Sequence, residues 1–166
     1  MKKKIYIFAM ALMLIVLTAC ASSRVYNFPG EFVLLSNEIP EGFELSEFTE
    51  GLEALGYEGN PGYLNEPLAF SQLYENVDSL KIANMHASLY EKPGAPNEEL
   101  GIYVAEYLSN TDFRSELSKI TPHENYVHLK GNKYLVMIWS DNGVYLEESN
   151  QIAEAMMERL GVERVE

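Results

Sequence analysis

The chain has 166 residues, with 25 acidic against 12 basic side chains and a formal net charge of −13 at pH 7. Such a field opposes nucleic acid and anionic lipid surfaces, whose binding rests on clustered Lys and Arg, and the sequence beyond residue 20 holds no such cluster. One cysteine in the whole chain rules out an intrachain disulfide framework, cysteine-held iron–sulfur clusters and thiolate zinc sites.

The N-terminus reads first as a transport signal. Lys2-Lys3-Lys4 is followed by thirteen apolar residues, 5–17, and then by Thr18, Ala19 and the single cysteine, Cys20. Thirteen residues suit an export signal better than a spanning helix, which needs ~20. Extended to Ala21 the run reaches seventeen, the lower edge of a span, so an uncleaved N-terminal helix is the alternative. Leu17-Thr18-Ala19-Cys20 resembles the lipobox of prokaryotic prolipoproteins. The resemblance implies that residues 1–19 are removed, that Cys20 carries diacylglycerol through a thioether and becomes the first mature residue, and that in many bacteria its new amino group is acylated, for instance with palmitate. Two or three acyl chains anchor stably where one does not, at ~0.8 kcal/mol per buried methylene. It further implies an extracytoplasmic, lipid-anchored location. Ala21 and Ser22 replace the aspartate that retains many lipoproteins at the inner membrane, so an outer membrane is the destination if the host has one.

Beyond Cys20, nine basic residues face 25 acidic ones, a net charge of −16. The 147 residues from Cys20 onward suit one domain and show no linker or repeat. The expected organisation is a signal peptide at 1–19, lipid attachment and a short tether at 20–30, and one folded domain at 31–166.

Within that domain, residues 31–35 predict a first strand and 43–48 a second extended piece after the turn Pro40-Glu41-Gly42. Thr49 is placed to cap a short helix through residue 55, with Gly56 as its stop. Pro61 and Gly62 suit the central positions of a type II turn, and 68–76 reads as a weak helix. Residues 80–90 and 101–108 predict two strands pairing antiparallel across a loop with Pro93, Gly94 and Pro96. Asn110 or Thr111 would cap a helix over 112–120, ended by Pro122. Residues 126–129 and 133–140 flank Lys130-Gly131-Asn132, a hairpin signal. The unbroken apolar run 134–139 predicts a central strand covered on both faces. A last helix over 145–160 stops at Gly161 and turns Ala153, Met156, Met157 and Leu160 to the core, flanked by Ile152 and Ser149.

This order predicts an α+β fold, an antiparallel sheet with helices packed on it. With Pro40-Glu41-Gly42-Phe43 as its opening, it loosely resembles small exported domains of the PsbP/Mog1 type, several of them lipoproteins; the resemblance implies a fold and no activity.

A search for chemistry leaves little. In His123-Glu124-Asn125-Tyr126-Val127-His128 the histidines stand five apart, which on a helix turns them ~140° from each other and on a strand puts them on opposite faces, so they do not form an H-E-x-x-H zinc site. His86 falls mid-strand, a place for a hydrogen-bonded or half-exposed ring. Dispersed glutamates do not make a calcium loop, and no nucleophile elbow, S-x-x-K, Walker loop or G-x-G-x-x-G is present. Among ten tyrosines after Cys20, Tyr57 and Tyr63 lie in a glycine-rich stretch and are the best placed for an exposed contact with a ligand. No cofactor, metal or catalytic residue is expected. The predicted function is a membrane-anchored, non-catalytic binding or accessory domain of the cell envelope, with the membrane as partner through Cys20 and a further envelope protein or ligand. An extracytoplasmic hydrolase using a carboxylate site, or a structural envelope component, is the alternative. An apolar groove with a polar rim would favour the binding domain, and converging carboxylates in a deep pocket the hydrolase.

Overall fold

A computed structural model describes residues 26–47, 52–53, 56–64, 77–95, 98–121 and 124–166. The export signal, Cys20, the predicted cap Thr49, the predicted helix at 68–76, Pro96, Pro122 and His123 all lie outside the described residues.

The fold is α+β, as the sequence predicts. In chain order come β1 (Glu44–Leu45), β2 (Gly62–Leu64), β3 (Ile82–Glu91), β4 (Glu99–Tyr107), α1 (Asn110–Leu117), β5 (Tyr126–Gly131), β6 (Tyr134–Ser140), α2 (Leu146–Leu160) and β7 (Glu163–Arg164). They form one seven-stranded sheet in the order β1-β3-β4-β6-β5-β7, with β2 also paired to β3. Every neighbouring pair is antiparallel. Because β6 lies between β4 and β5, the connection through α1 carries the chain over the sheet and leaves β5 near one edge.

Alternation along the central strands divides the core into two layers. Leu100, Ile102 and Val104 of β4, with Val136 and Ile138 of β6, meet Ile152, Ala153, Met156 and Leu160 of α2. Tyr103, Ala105 and Tyr107, with Leu135 and Met137, face Phe113 of α1 and the segment carrying Leu52 and Tyr57. The apolar run 134–139 is thus a strand covered on both sides, since a period of two sends successive side chains to opposite layers. On the second layer Trp139 stacks on Tyr103, with ring centroids 6.2 Å apart and planes 15° apart. The indole lies directly on Gly101, where any Cβ would overlap its ring.

Turn chemistry sets the element ends. In the β5–β6 hairpin the two loop residues are Asn132 and Lys133, one position later than the sequence signal, with Asn132 in the left-handed region at φ 54°. Helix α1 begins two residues earlier than predicted: Ser109, not Asn110 or Thr111, accepts the Asp112 amide at 3.1 Å. Helix α2 ends at Gly161, whose φ of 69° suits a residue without Cβ and whose amide reaches the Met157 carbonyl at 2.9 Å.

Three further expectations are corrected. The predicted strand at 31–35 is a 3₁₀ turn at Gly30–Phe32, because its apolar content goes into one buried ring: Phe32 packs against Tyr26, Phe28 and Tyr134 at centroid distances of 5.3, 6.0 and 5.0 Å. Tyr26 and Phe28 therefore belong to the folded body, although the sequence division put 20–30 in the tether. Gly62 is not a turn centre; it pairs with Ala87 as the first residue of β2. Between β1 and β2, which share one edge of β3, Asn60 stands in for missing backbone: its Nδ2 donates to the carbonyls of Ser46 and Leu89 at 2.9 and 2.8 Å, and its Oδ1 accepts the Leu89 amide at 2.9 Å.

Candidate functional groove

The sheet edge built by β5 and β7, the C-terminal half of α1 and the end of α2 enclose a groove of about 810 Å³. A volume of this size suits a small molecule or one end of a larger one. Its apolar surface comes from Leu117 at the end of α1, Ile120 just after it, Met157 of α2 and Val165 beyond β7. Met157, which the sequence stripe assigns to the core, is only partly buried and serves as groove wall. Three cations, Arg114, Lys130 and Arg164, also line the groove, together with Glu163 and Glu166.

The cations owe their availability to the other carboxylates. Eight basic side chains occur among the described residues. Lys81 and Lys119 both contact Glu116, at 2.6 and 2.9 Å, Lys133 contacts Glu106 at 2.8 Å and Arg159 contacts Glu38 at 2.5 Å. Lys92 lies over the rings of Phe43 and Tyr145, 4.9 and 4.2 Å from their centroids. The three that remain are those of the groove. Arg114 and Lys130 enter no ion pair among the described residues, and Arg164 donates to Asn150 Oδ1 at 2.8 Å rather than to a carboxylate.

Two carboxylates, one buried and one partly buried, are held in their charged form. Glu116 is fully buried, which alone would raise its pKa, but the Asp78 amide and the ammonium groups of Lys81 and Lys119 outweigh that and bring it down to about 2. Burial likewise pushes Glu106 upward, while Lys133, Asn84 and Tyr134 hold it below the usual carboxylate range. Asn84 Nδ2 and the Tyr134 hydroxyl donate to its two oxygens at 2.6 and 3.0 Å. Carboxylates this well supplied with donors are poor proton donors near neutral pH. Glu99 moves the other way, raised by burial and by the nearby charges of Asp141 and Glu91, but it does not line the groove.

The residues singled out from sequence are not brought together. Tyr63 is 40 % exposed, and its hydroxyl donates to Asn84 Oδ1 at 2.7 Å. Tyr57, expected to be exposed, is only 2 % so: its ring fills the second layer near Tyr103, and its hydroxyl points at the Met85 sulfur. Neither tyrosine lines the groove. His86 and His128 are both buried. His86 has no hydrogen-bond partner for either ring nitrogen among the described residues, and burial lowers its pKa to about 4. No group of three or more His, Cys, Asp or Glu among the described residues is arranged to hold a metal ion. No described helix is long and apolar enough to cross a membrane. The chain matches no protein-family model, no curated protein and no solved structure, PsbP/Mog1-type domains included.

Proposed function

We propose that the chain is an extracytoplasmic lipoprotein, anchored through lipid on Cys20, whose α+β domain is a non-catalytic binding or accessory domain of the cell envelope. The observation that carries the binding role is the groove beside β7, lined by apolar and charged side chains together. The anchor is supported by Lys2-Lys3-Lys4, the thirteen-residue apolar run and Leu17-Thr18-Ala19-Cys20. Since Tyr26 is part of the core, five residues, 21–25, connect the lipid site to the body, a reach of ~20 Å when extended. The domain thus works next to the bilayer. The saturated carboxylates Glu106 and Glu116 favour binding over hydrolysis.

Replacing Cys20 by Ser tests the anchor. Wild-type protein is expected in the membrane fraction as a product lacking residues 1–19, and Cys20→Ser as a released or unprocessed species. A Cys20→Ser product on the membrane with the same mature size would contradict lipidation.

A further inference from the structure

The chain leaves the folded body beside the groove. The Tyr26 hydroxyl donates to the Leu160 carbonyl at 3.2 Å. The Tyr26 oxygen and Val162 also crowd the backbone of Gly131, approaching a Cβ placed there to 3.0 and 2.6 Å. Gly131 follows Lys130, and Val162 leads into β7 with Arg164. Tyr26, the first described residue on the way back to the proposed anchor, thus packs against the same β5–β7 edge that carries Lys130 and Arg164. This coincidence matters because the rest of the domain is so acidic: the cations left without a carboxylate partner line the groove at the edge against which Tyr26, next to the proposed tether, is packed.

Resting on the lipoprotein reading, we infer that the groove seats an anionic phospholipid of the membrane that holds the chain. Its phosphate sits among Arg114, Lys130 and Arg164. The acyl portion lies against Leu117, Ile120 and Met157, and hydroxyls of a head group such as phosphatidylglycerol donate to Glu163 and Glu166. The net charge of −16 opposes the long-range approach to an anionic surface. It does not oppose a seated lipid, for two reasons. Charges beyond ~8 Å are screened at physiological salt, and a short tether replaces diffusional encounter by a high local concentration. The seated head group holds the groove end against the bilayer and leaves the opposite edge of the sheet, β1 and β2, to the solvent.

Native mass spectrometry of the full-length protein, purified from membranes in a neutral detergent, tests this. Three probes are added in turn: phosphatidylglycerol, a diacylglycerol of the same acyl composition, and glycerol 3-phosphate. One phosphatidylglycerol is expected to bind. At roughly fivefold per basic residue, the triple variant Arg114→Gln, Lys130→Gln, Arg164→Gln is expected to bind it about a hundredfold more weakly. The three side chains are exposed or half-exposed, so the variant should melt with the wild type; if it does not fold, Lys130→Gln alone, expected to lose about fivefold, decides the matter. Equal phosphatidylglycerol binding by wild type and variant, or equal binding of diacylglycerol, would remove the phosphate from the account. Glycerol 3-phosphate binding as tightly as the lipid would overturn the membrane source. The intact mass of the same sample reports whether Cys20 carries lipid, so failure of the anchor and failure of the groove are read separately.

Discussion

Glu116 should make this domain acid-sensitive in a defined window, and Glu116→Gln should remove that sensitivity. The carboxylate joins three parts of the fold: it lies on α1, accepts the Asp78 amide at 2.9 Å before β3, and receives the ammonium groups of Lys81 and Lys119. Its folded-state pKa of about 2 lies below the ordinary 4.5, so the fold favours the charged form. The resulting stabilisation is complete above pH 4.5 and is lost as the pH falls through about 2. The gap corresponds to ~3 kcal/mol at ~1.4 kcal/mol per pH unit. Lys81 and Lys119 are 29 % and 41 % exposed, so water screens part of the attraction, and about 1–2 kcal/mol is the working figure. Urea unfolding at pH 7, 4.5 and 3 gives the comparison. Glu116→Gln should be less stable than wild type by about that amount at pH 7, and the two should converge as the pH approaches 2. If the two curves run parallel from pH 7 to 3, the ionised carboxylate does not hold α1 to β3.

His86 should also weaken the fold toward acid, but because it is buried uncharged and without a partner among the described residues. Its folded pKa of about 4 lies below the ordinary 6.5, so the unfolded chain takes up a proton first, and stability falls as the pH drops from 6.5 to 4. His86→Leu removes two unpartnered buried nitrogens and should match or exceed wild-type stability at pH 7, with a lead of ~2 kcal/mol at pH 5; a loss above ~1 kcal/mol at pH 7 would mean that the ring has a structural partner. At Gly101, alanine should cost about 2–3 kcal/mol and shift Trp139 fluorescence to the red, because the indole must leave the backbone it covers. An unchanged melting temperature and emission would contradict that contact.

The strands and helices with one-dimensional signals were legible. Residues 134–139 form a doubly covered strand because six apolar residues in succession have no other place in an α+β fold. Ser149, Ile152, Ala153, Met156 and Leu160 face the core because their spacing lays them on one side of a helix that Gly161 ends. What the chain hides is whatever depends on a partner far along it. Phe32 curls into a turn because Tyr26, Phe28 and Tyr134 surround it, and Tyr134 is a hundred residues away. Tyr57 sits among glycines that suggest exposure, yet β3 and β4 supply the Met85 and Tyr103 that bury it. The groove had no sequence signature at all. Arg114, Lys130 and Arg164 are scattered along the chain and converge only because the crossover through α1 puts β5 outside β6 and β7 then pairs with β5. Beyond residue 20 no two basic residues are adjacent in the sequence, yet three of them line one groove of the fold.

The short outer strands decide how this protein behaves in a crowd. The β3 edge is taken by two pieces of two and three residues with the Asn60 amide between them, and the far edge ends in the two residues of β7. A neighbouring molecule seeking to extend the sheet meets side-chain amide or a ladder too brief to template a strand, which is how β proteins avoid edge-to-edge aggregation. Copies confined to two dimensions would collide edge-on far more often than copies in free solution. Edges interrupted in this way would give copies held side by side by the proposed anchor no ladder along which to join their sheets.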